Sequence, residues 1–268
     1  MNKIEFIDAC IKIREDSMAQ AAGLKKGNSD GVISIERYYD YPGRKILWLL
    51  KESWGEGSSN QADDLSKVEV ASDYFSARNE DGFQTYAPMI LLAGMMHGLS
   101  IPDVYLSKEA YSSFVESTAF VNCKKVPGAT KSNDKEIGLF AKQNERLIEE
   151  QIRLYNPSII IGGNTLRLFF PVKTSSSSIF EQIKLHQNAK VAKGIEGIAS
   201  YNVFGDTVDV EDCRAINKNG YDFGVYPGKK ILFIDADHPS SAKRMQDYCF
   251  ALFDIIMGYR IIEDSILI

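Results

Sequence analysis

Four short apolar runs punctuate the chain, at Lys45–Leu50 (KILWLL), Thr118–Val121, Ser158–Ile161 and Lys230–Ile234. Each is nearly continuous in hydrophobic residues and gives way to small or polar ones. That is the pattern of strands buried on both faces in a parallel sheet. Helical spacing takes over between and around them. Asn133 and Glu136 make a capping pair ahead of an apolar stripe at Ile137, Phe140, Leu147, Ile148, Ile152 and Tyr155, predicting one helix that stops at Asn156-Pro157. A second stripe at Ala242, Met245, Cys249, Leu252 and Ile256 predicts a C-terminal helix, with Ser240 or Ser241 as its N-cap. Ile4, Ile7 and Ile11 predict an amphipathic helix at the N-terminus. The uncharged stretch Phe83–Pro102 contains Pro88, Gly94, His97, Gly98 and Ser100, so it reads as a buried helix rather than a membrane span.

Strands alternating with helices imply right-handed crossovers and a doubly wound sheet with helices on both faces. The expected fold is therefore α/β, three layers deep (α/β/α), with a central, mainly parallel four-stranded sheet. No internal repeat is present. One domain is expected over residues 1–268, with an N-terminal helical extension to about residue 40 and an insertion at about 171–228. Within that insertion KTSSSSI and NKNGYDFG read as loops around short elements.

Composition narrows the classes. With 44% hydrophobic and 25% charged residues, the chain is neither disordered nor collagen-like nor a coiled coil. The 31 Lys and Arg against 36 Asp and Glu leave a net charge of -5, which argues against a long basic groove but not against a small DNA site with few phosphate contacts. Cys10, Cys123, Cys213 and Cys249 are scattered with no CxxC pair, so neither a zinc knuckle nor a disulfide scaffold is indicated, and reduced thiols in the cytoplasm are expected. The opening MNKIEFIDACIKIRED carries acidic residues where a signal peptide needs an apolar stretch, so no secretion and no membrane partner are expected.

Open parallel sheets bind ligands beyond the carboxyl ends of their strands. The four runs deliver Glu52 and Ser53, Asn122, Gly162 and Gly163, and Asp237 and His238 to that edge. Gly162-Gly163-Asn164 lacks both GxGxxG and a GK[ST] ending, so it reads as a tight strand-to-helix turn and no nucleotide cofactor is expected. His97 reads as a satisfied core residue, and His186 has no partner at ligand spacing, so no metal is expected. Met89, Met95 and Met96 read as core packing. Lys124, Lys125, Lys131 and Lys135 read either as a solvated face or as DNA contacts.

KESWG, FVNCKKVPG, NPSIIIGG and DADHPSSA occur in an order and spacing that resembles the uracil-DNA glycosylase superfamily, over roughly Lys45 to Ile256. The resemblance implies a uracil-DNA glycosylase-like fold and a monofunctional, metal-independent and cofactor-free DNA glycosylase. Its substrate would be uracil or another altered or modified pyrimidine flipped out of DNA. In that family the first motif holds or activates water, which falls on Glu52; KESWG looks most like the GEAPG version. An Asn that reads the pyrimidine edge falls on Asn122, and the His of an HPS motif, which stabilises the departing base, falls on His238. The base pocket would also take in Ser53, Trp54 and a stacking aromatic, for which Phe83 is the first candidate and Tyr74, Phe75 and Tyr86 are rivals. Ser240, Ser241, Lys243 and Arg244 would hold the DNA backbone, with Lys124 and Lys125 extending that rim. Lys51 stands where the family motif has Gly, and Trp54 where it has Pro. The iron-sulfur members carry a close N-terminal cysteine pair that this chain lacks, so no cluster is expected. Relatives act in base-excision DNA repair, and some remove bulkier bases in phage defence.

The residues make chemical sense together. Breaking an N-glycosidic bond builds positive charge on the sugar and negative charge on the leaving base, so a carboxylate, a two-sided amide and an imidazole donor suffice. Two other readings stay open, a binding module of the same fold without hydrolysis and a hydrolase of free nucleosides. Glu52 separates the first two: facing the crevice with Asn122 and His238 it favours catalysis, and tied to a basic side chain it favours binding.

Overall fold

The computed structural model describes residues 30–54, 83–100, 107–128, 133–170 and 200–266. In chain order the strands are β1 (Gly31–Val32), β2 (Ile46–Trp54), β3 (Thr118–Gly128), β4 (Ile159–Gly163), β5 (Ser200–Val203), β6 (Asp206–Asp209), β7 (Arg214–Lys218), β8 (Tyr221–Pro227) and β9 (Leu232–Ala236). The helices are α1 (Ile35–Asp40), α2 (Phe83–Met96), α3 (Lys108–Ser117), α4 (Asp134–Gln143), α5 (Glu145–Tyr155) and α6 (Met245–Ile266).

The chain is α/β. Its main sheet runs β1-β3-β2-β4-β9-β8-β7, and β5 and β6 form a separate pair. The four apolar runs become β2, β3, β4 and β9, which lie side by side and parallel. The sheet has seven strands rather than the four expected, because β1, β8 and β7 add antiparallel strands at its flanks. None of the three announces itself by an apolar run. β1 is two residues long, and β7 and β8 form a hairpin closed at Asn219-Gly220, both left-handed as a two-residue turn requires, with β7 largely polar and β8 interrupted by Asp222 and Gly224. The last part of the expected insertion, Arg214–Pro227, thus lies in the main sheet, while β5 and β6 form their own pair.

Alternation along the central strands separates two cores. Ile46, Trp48, Phe120, Ile161 and Ile234 face α2, α3 and α6, while Leu47, Leu49, Val121, Ile160 and Phe233 face α1, α4 and α5. The single helix expected over 133–155 is two. It breaks at Asn144, whose backbone and side-chain amides both donate to the Phe140 carbonyl and so end α4. The start and stop match the expected signals. Asn133 accepts from the amides of Lys135 and Glu136, and Asn156 ends α5 in the left-handed conformation. The buried helix expected from Phe83 is α2. The helix expected around Ile4–Ile11 lies outside the described residues. Among the described residues no helix is long and apolar enough to cross a membrane.

Candidate functional site

The parallel strands do not end level, and the step between them builds the site. β4 stops at Gly163 and β9 at Ala236, whereas β2 and β3 run on together to Trp54 and Gly128. Register places Leu49 beside Gly162 and Leu50 beside Asn122, so Asn122, Leu50, Gly163 and Ala236 form one row across four strands. Glu52 and Asn122 are therefore inside long strands rather than at strand ends, as the sequence pattern suggested.

Gly163 leaves a gap in that row, and His238 fills it. A Cβ on Gly163 would stand 3.2 Å from the His238 Cδ2, 3.3 Å from its Cα and 3.4 Å from Leu50 Cδ2. The imidazole is held by the turn after β9. His238 caps the 3-10 turn Pro239–Ser241, its Nδ1 accepting from the Ser240 amide at 3.3 Å and lying 2.8 Å from the Ser240 hydroxyl. With Nδ1 engaged as an acceptor, the proton of the neutral ring sits on Nε2. Burial, and then the positive charge of Lys51, push the His238 pKa down to about 4, so the ring is neutral at pH 7.

Asn122 occupies the other end of the row. It is buried, and its side-chain Nδ2 has no hydrogen-bond partner. Its backbone amide donates to Asp30. Two strand spacings, about 10 Å, separate β3 from β4, over which the His238 ring lies. Leu50 of β2, buried on the same face, lies between them in the row. The face is roofed by α2, whose Tyr86 meets Phe120 edge-on at 5.9 Å and which packs against Pro239–Ser241.

Glu52 lies two residues beyond Leu50, directly across from Lys124, and the two form an ion pair of 2.9 Å with side chains only 5% and 7% exposed. Lys124 also reaches Glu136 at 2.7 Å and lies 5.5 Å from the centre of the Phe140 ring. Burial works against its charge, but the hydrogen bonds to Glu136 and Glu52 outweigh that and hold its pKa above the ordinary value. Lys125 is fully buried against Asp30 at 2.8 Å. Lys124 and Lys125 thus make neither a solvated face nor a phosphate-binding rim; both point inward and are neutralised there. Lys51 pairs with Asp134 at 2.7 Å, as does Arg167 at 2.7 Å.

Other expected residues divide. Lys243 and Arg244 are exposed, with Arg244 paired to Asp247 at 2.8 Å. Ser240 and Ser241 belong to the 3-10 turn rather than capping α6, which starts at Met245; the Ser241 hydroxyl donates to the His238 carbonyl at 2.7 Å. Ser53 and Trp54 lie in β2 and Phe83 opens α2, but their side chains, like Tyr74, Phe75, Lys131 and His186, lie outside the described residues. Tyr86 is committed to the core and is not free to stack on a ligand. His97 is not a satisfied core residue. It stacks on Tyr41 at 4.7 Å, and its buried Nε2 is unpartnered. Among the described residues no His, Cys, Asp and Glu cluster is arranged to hold a metal ion.

Two contributors to the row and one further acidic residue escaped the sequence reading. Gly163 makes room for His238, and Asp30 holds the Asn122 backbone from the far side of β3. The acidic residue is Asp235 on β9, which shares the Phe233 face of the sheet, away from the row; burial raises its pKa to about 7 against the opposing Arg167 charge and Leu166 amide, and its Oδ1 is unpartnered. Only Asp235 had a signal, an acidic residue inside an apolar strand. The chain has no significant match to any family model, curated protein or solved structure.

Proposed function

We propose that this chain is a DNA glycosylase of uracil-DNA glycosylase-like, three-layer architecture that hydrolyses the N-glycosidic bond of uracil or another altered pyrimidine flipped into the step between β2–β3 and β4–β9. One observation carries the reading. Asn122 offers an unpartnered buried amide at one end of the row and His238 an Nε2–H at the other. A flipped pyrimidine presents O4 and N3–H on one edge and O2 near the bond to be broken. Asn122 donates Nδ2–H to O4 and accepts N3–H on Oδ1. His238, neutral because of its depressed pKa, donates Nε2–H to O2 as that oxygen takes up the electrons of the breaking bond. Exposed Lys243 and Arg244 flank this edge as contacts for the strand that carries the base.

The Glu52–Lys124 pair favours a second reading, a module that binds the flipped base without hydrolysing the bond. Incubation with single- and double-stranded oligonucleotides carrying uracil, hypoxanthine, oxidised pyrimidines or glucosylated hydroxymethylcytosine separates the two. Base release from one of them, cut at least a hundredfold by His238→Ala or Asn122→Ala, is the expected result. Oligonucleotide binding lost in Asn122→Ala, with no release by the wild type, establishes the binding module instead.

A further inference from the structure

The sheet holds a buried charged cluster behind Asn122, and its geometry points to a role for it. β1 pairs with β3 only at Gly31–Phe120 and Val32–Ala119. Gly31, at the start of β1, takes φ 125°, and Asp30 precedes it. At that point the Asp30 carboxylate takes over the ladder. Its Oδ2 accepts from the Asn122 backbone amide and from Lys125 Nζ at 2.8 Å, and its Oδ1 from Lys125 Nζ at 3.1 Å and Gln151 Nε2 at 3.0 Å. Gln151 closes the ring by accepting from Lys125 through Oε1.

We infer that Asp30 is a positioning residue for base recognition: by bonding the Asn122 backbone amide it fixes the β3 residue to which base reading is assigned. Asn122 and Lys125 project from β3 toward opposite sides of the sheet, so the cluster lies on the far face and touches no base. Gln151 comes from α5, and the network therefore fastens β3 to that helix at the level of Asn122. A purely structural ion pair would need neither the backbone bond nor that level. This inference rests on the proposed function, in which Asn122 reads the base.

The test compares two full-length variants of equal charge, Asp30→Asn/Lys125→Met and Asp30→Leu/Lys125→Met. Both remove the buried ion pair, but only the first keeps an oxygen that accepts from the Asn122 amide. The Asn122 backbone amide is followed by hydrogen exchange, and kcat and KM are measured on a single-stranded oligonucleotide with one uracil. In Asp30→Leu/Lys125→Met the amide is expected to exchange at least a hundredfold faster, with KM raised about tenfold or more and kcat within threefold of wild type. Asp30→Asn/Lys125→Met is expected to restore both to within threefold. Equal exchange in the two variants overturns the positioning role, as does faster exchange with KM unchanged. If the wild type releases no uracil while the exchange contrast appears, the backbone role of Asp30 stands and base reading of uracil falls. Unfolding of Asp30→Leu/Lys125→Met alone, with the Asn variant folded and active, marks Asp30 as structural and overturns the inference.

Discussion

Asp30, just ahead of β1, and Asp235, inside β9, are two carboxylates on the same sheet, and they are compensated to different degrees. Asp30 has a lysine, a glutamine and a backbone amide on its two oxygens, while Asp235 has the Leu166 amide but an unpartnered Oδ1, and sits across from Gly224, over which the Tyr226 hydroxyl leans. That hydroxyl is also buried without a hydrogen-bond partner. The difference teaches that burial alone says little about a carboxylate. Compensation decides whether it locks a backbone or carries a standing electrostatic cost.

The sharpest way to break the contrast is to make Asp30 resemble Asp235. Lys125→Met leaves the Asp30 charge buried without its cation and is expected to cost about 3–5 kcal/mol, lowering the thermal midpoint by roughly 10 °C; adding Asp30→Leu recovers most of that loss. The converse is to relieve Asp235. Its pKa is raised from 3.8 to about 7, so the folded chain keeps a proton that the unfolded chain releases, and stability falls as pH rises from about 4 through 7. Asp235→Asn removes that slope and is expected to gain about 2–4 kcal/mol at pH 8 and almost nothing at pH 3, read by urea unfolding at both pH values.

His238 gives the opposite sign in the same scan. Its pKa is lowered from 6.5 to about 4, so its contribution to stability is complete above pH 6.5, falls as pH drops toward 4 and is lost below that. His238→Gln flattens this slope, worth up to about 3 kcal/mol. The smallest effect belongs to Gly163→Ala. The added methyl stands 3.2–3.4 Å from His238 and Leu50, so it is expected to cost about 1–2 kcal/mol while displacing the imidazole, and base release should fall far more than stability does. Unchanged release in a folded Gly163→Ala protein would show that the ring does not depend on that gap.

The four parallel strands were legible because each is buried on both faces and so spells a continuous apolar run. The flanking strands were not. β7 has no fully buried position, and its hairpin turn, Asn219-Gly220, lay within a stretch whose Gly, Asn and Asp content reads equally well as loop. Asn122 and His238 could be picked out because each follows or interrupts an apolar run with a polar side chain. The fates of Lys124 and Lys125 were hidden. Two adjacent lysines read as surface, and only tertiary structure brings Glu52, Glu136, Asp30 and Gln151 against them. The break at Asn144 was missed for a related reason, since the apolar stripe continues across it and only the capping bonds reveal the stop.

The flanks of the sheet also bear on association. An open sheet can grow by accepting a strand from another molecule, and long, flat, apolar edges invite it. Here the β7 edge carries exposed Arg214 and Asn217 and a Lys218 tied to Asp254 of α6 at 2.7 Å. That edge offers a foreign strand no apolar ladder, so the hairpin that obscured the fold in the sequence also guards this side of the sheet against edge-to-edge pairing.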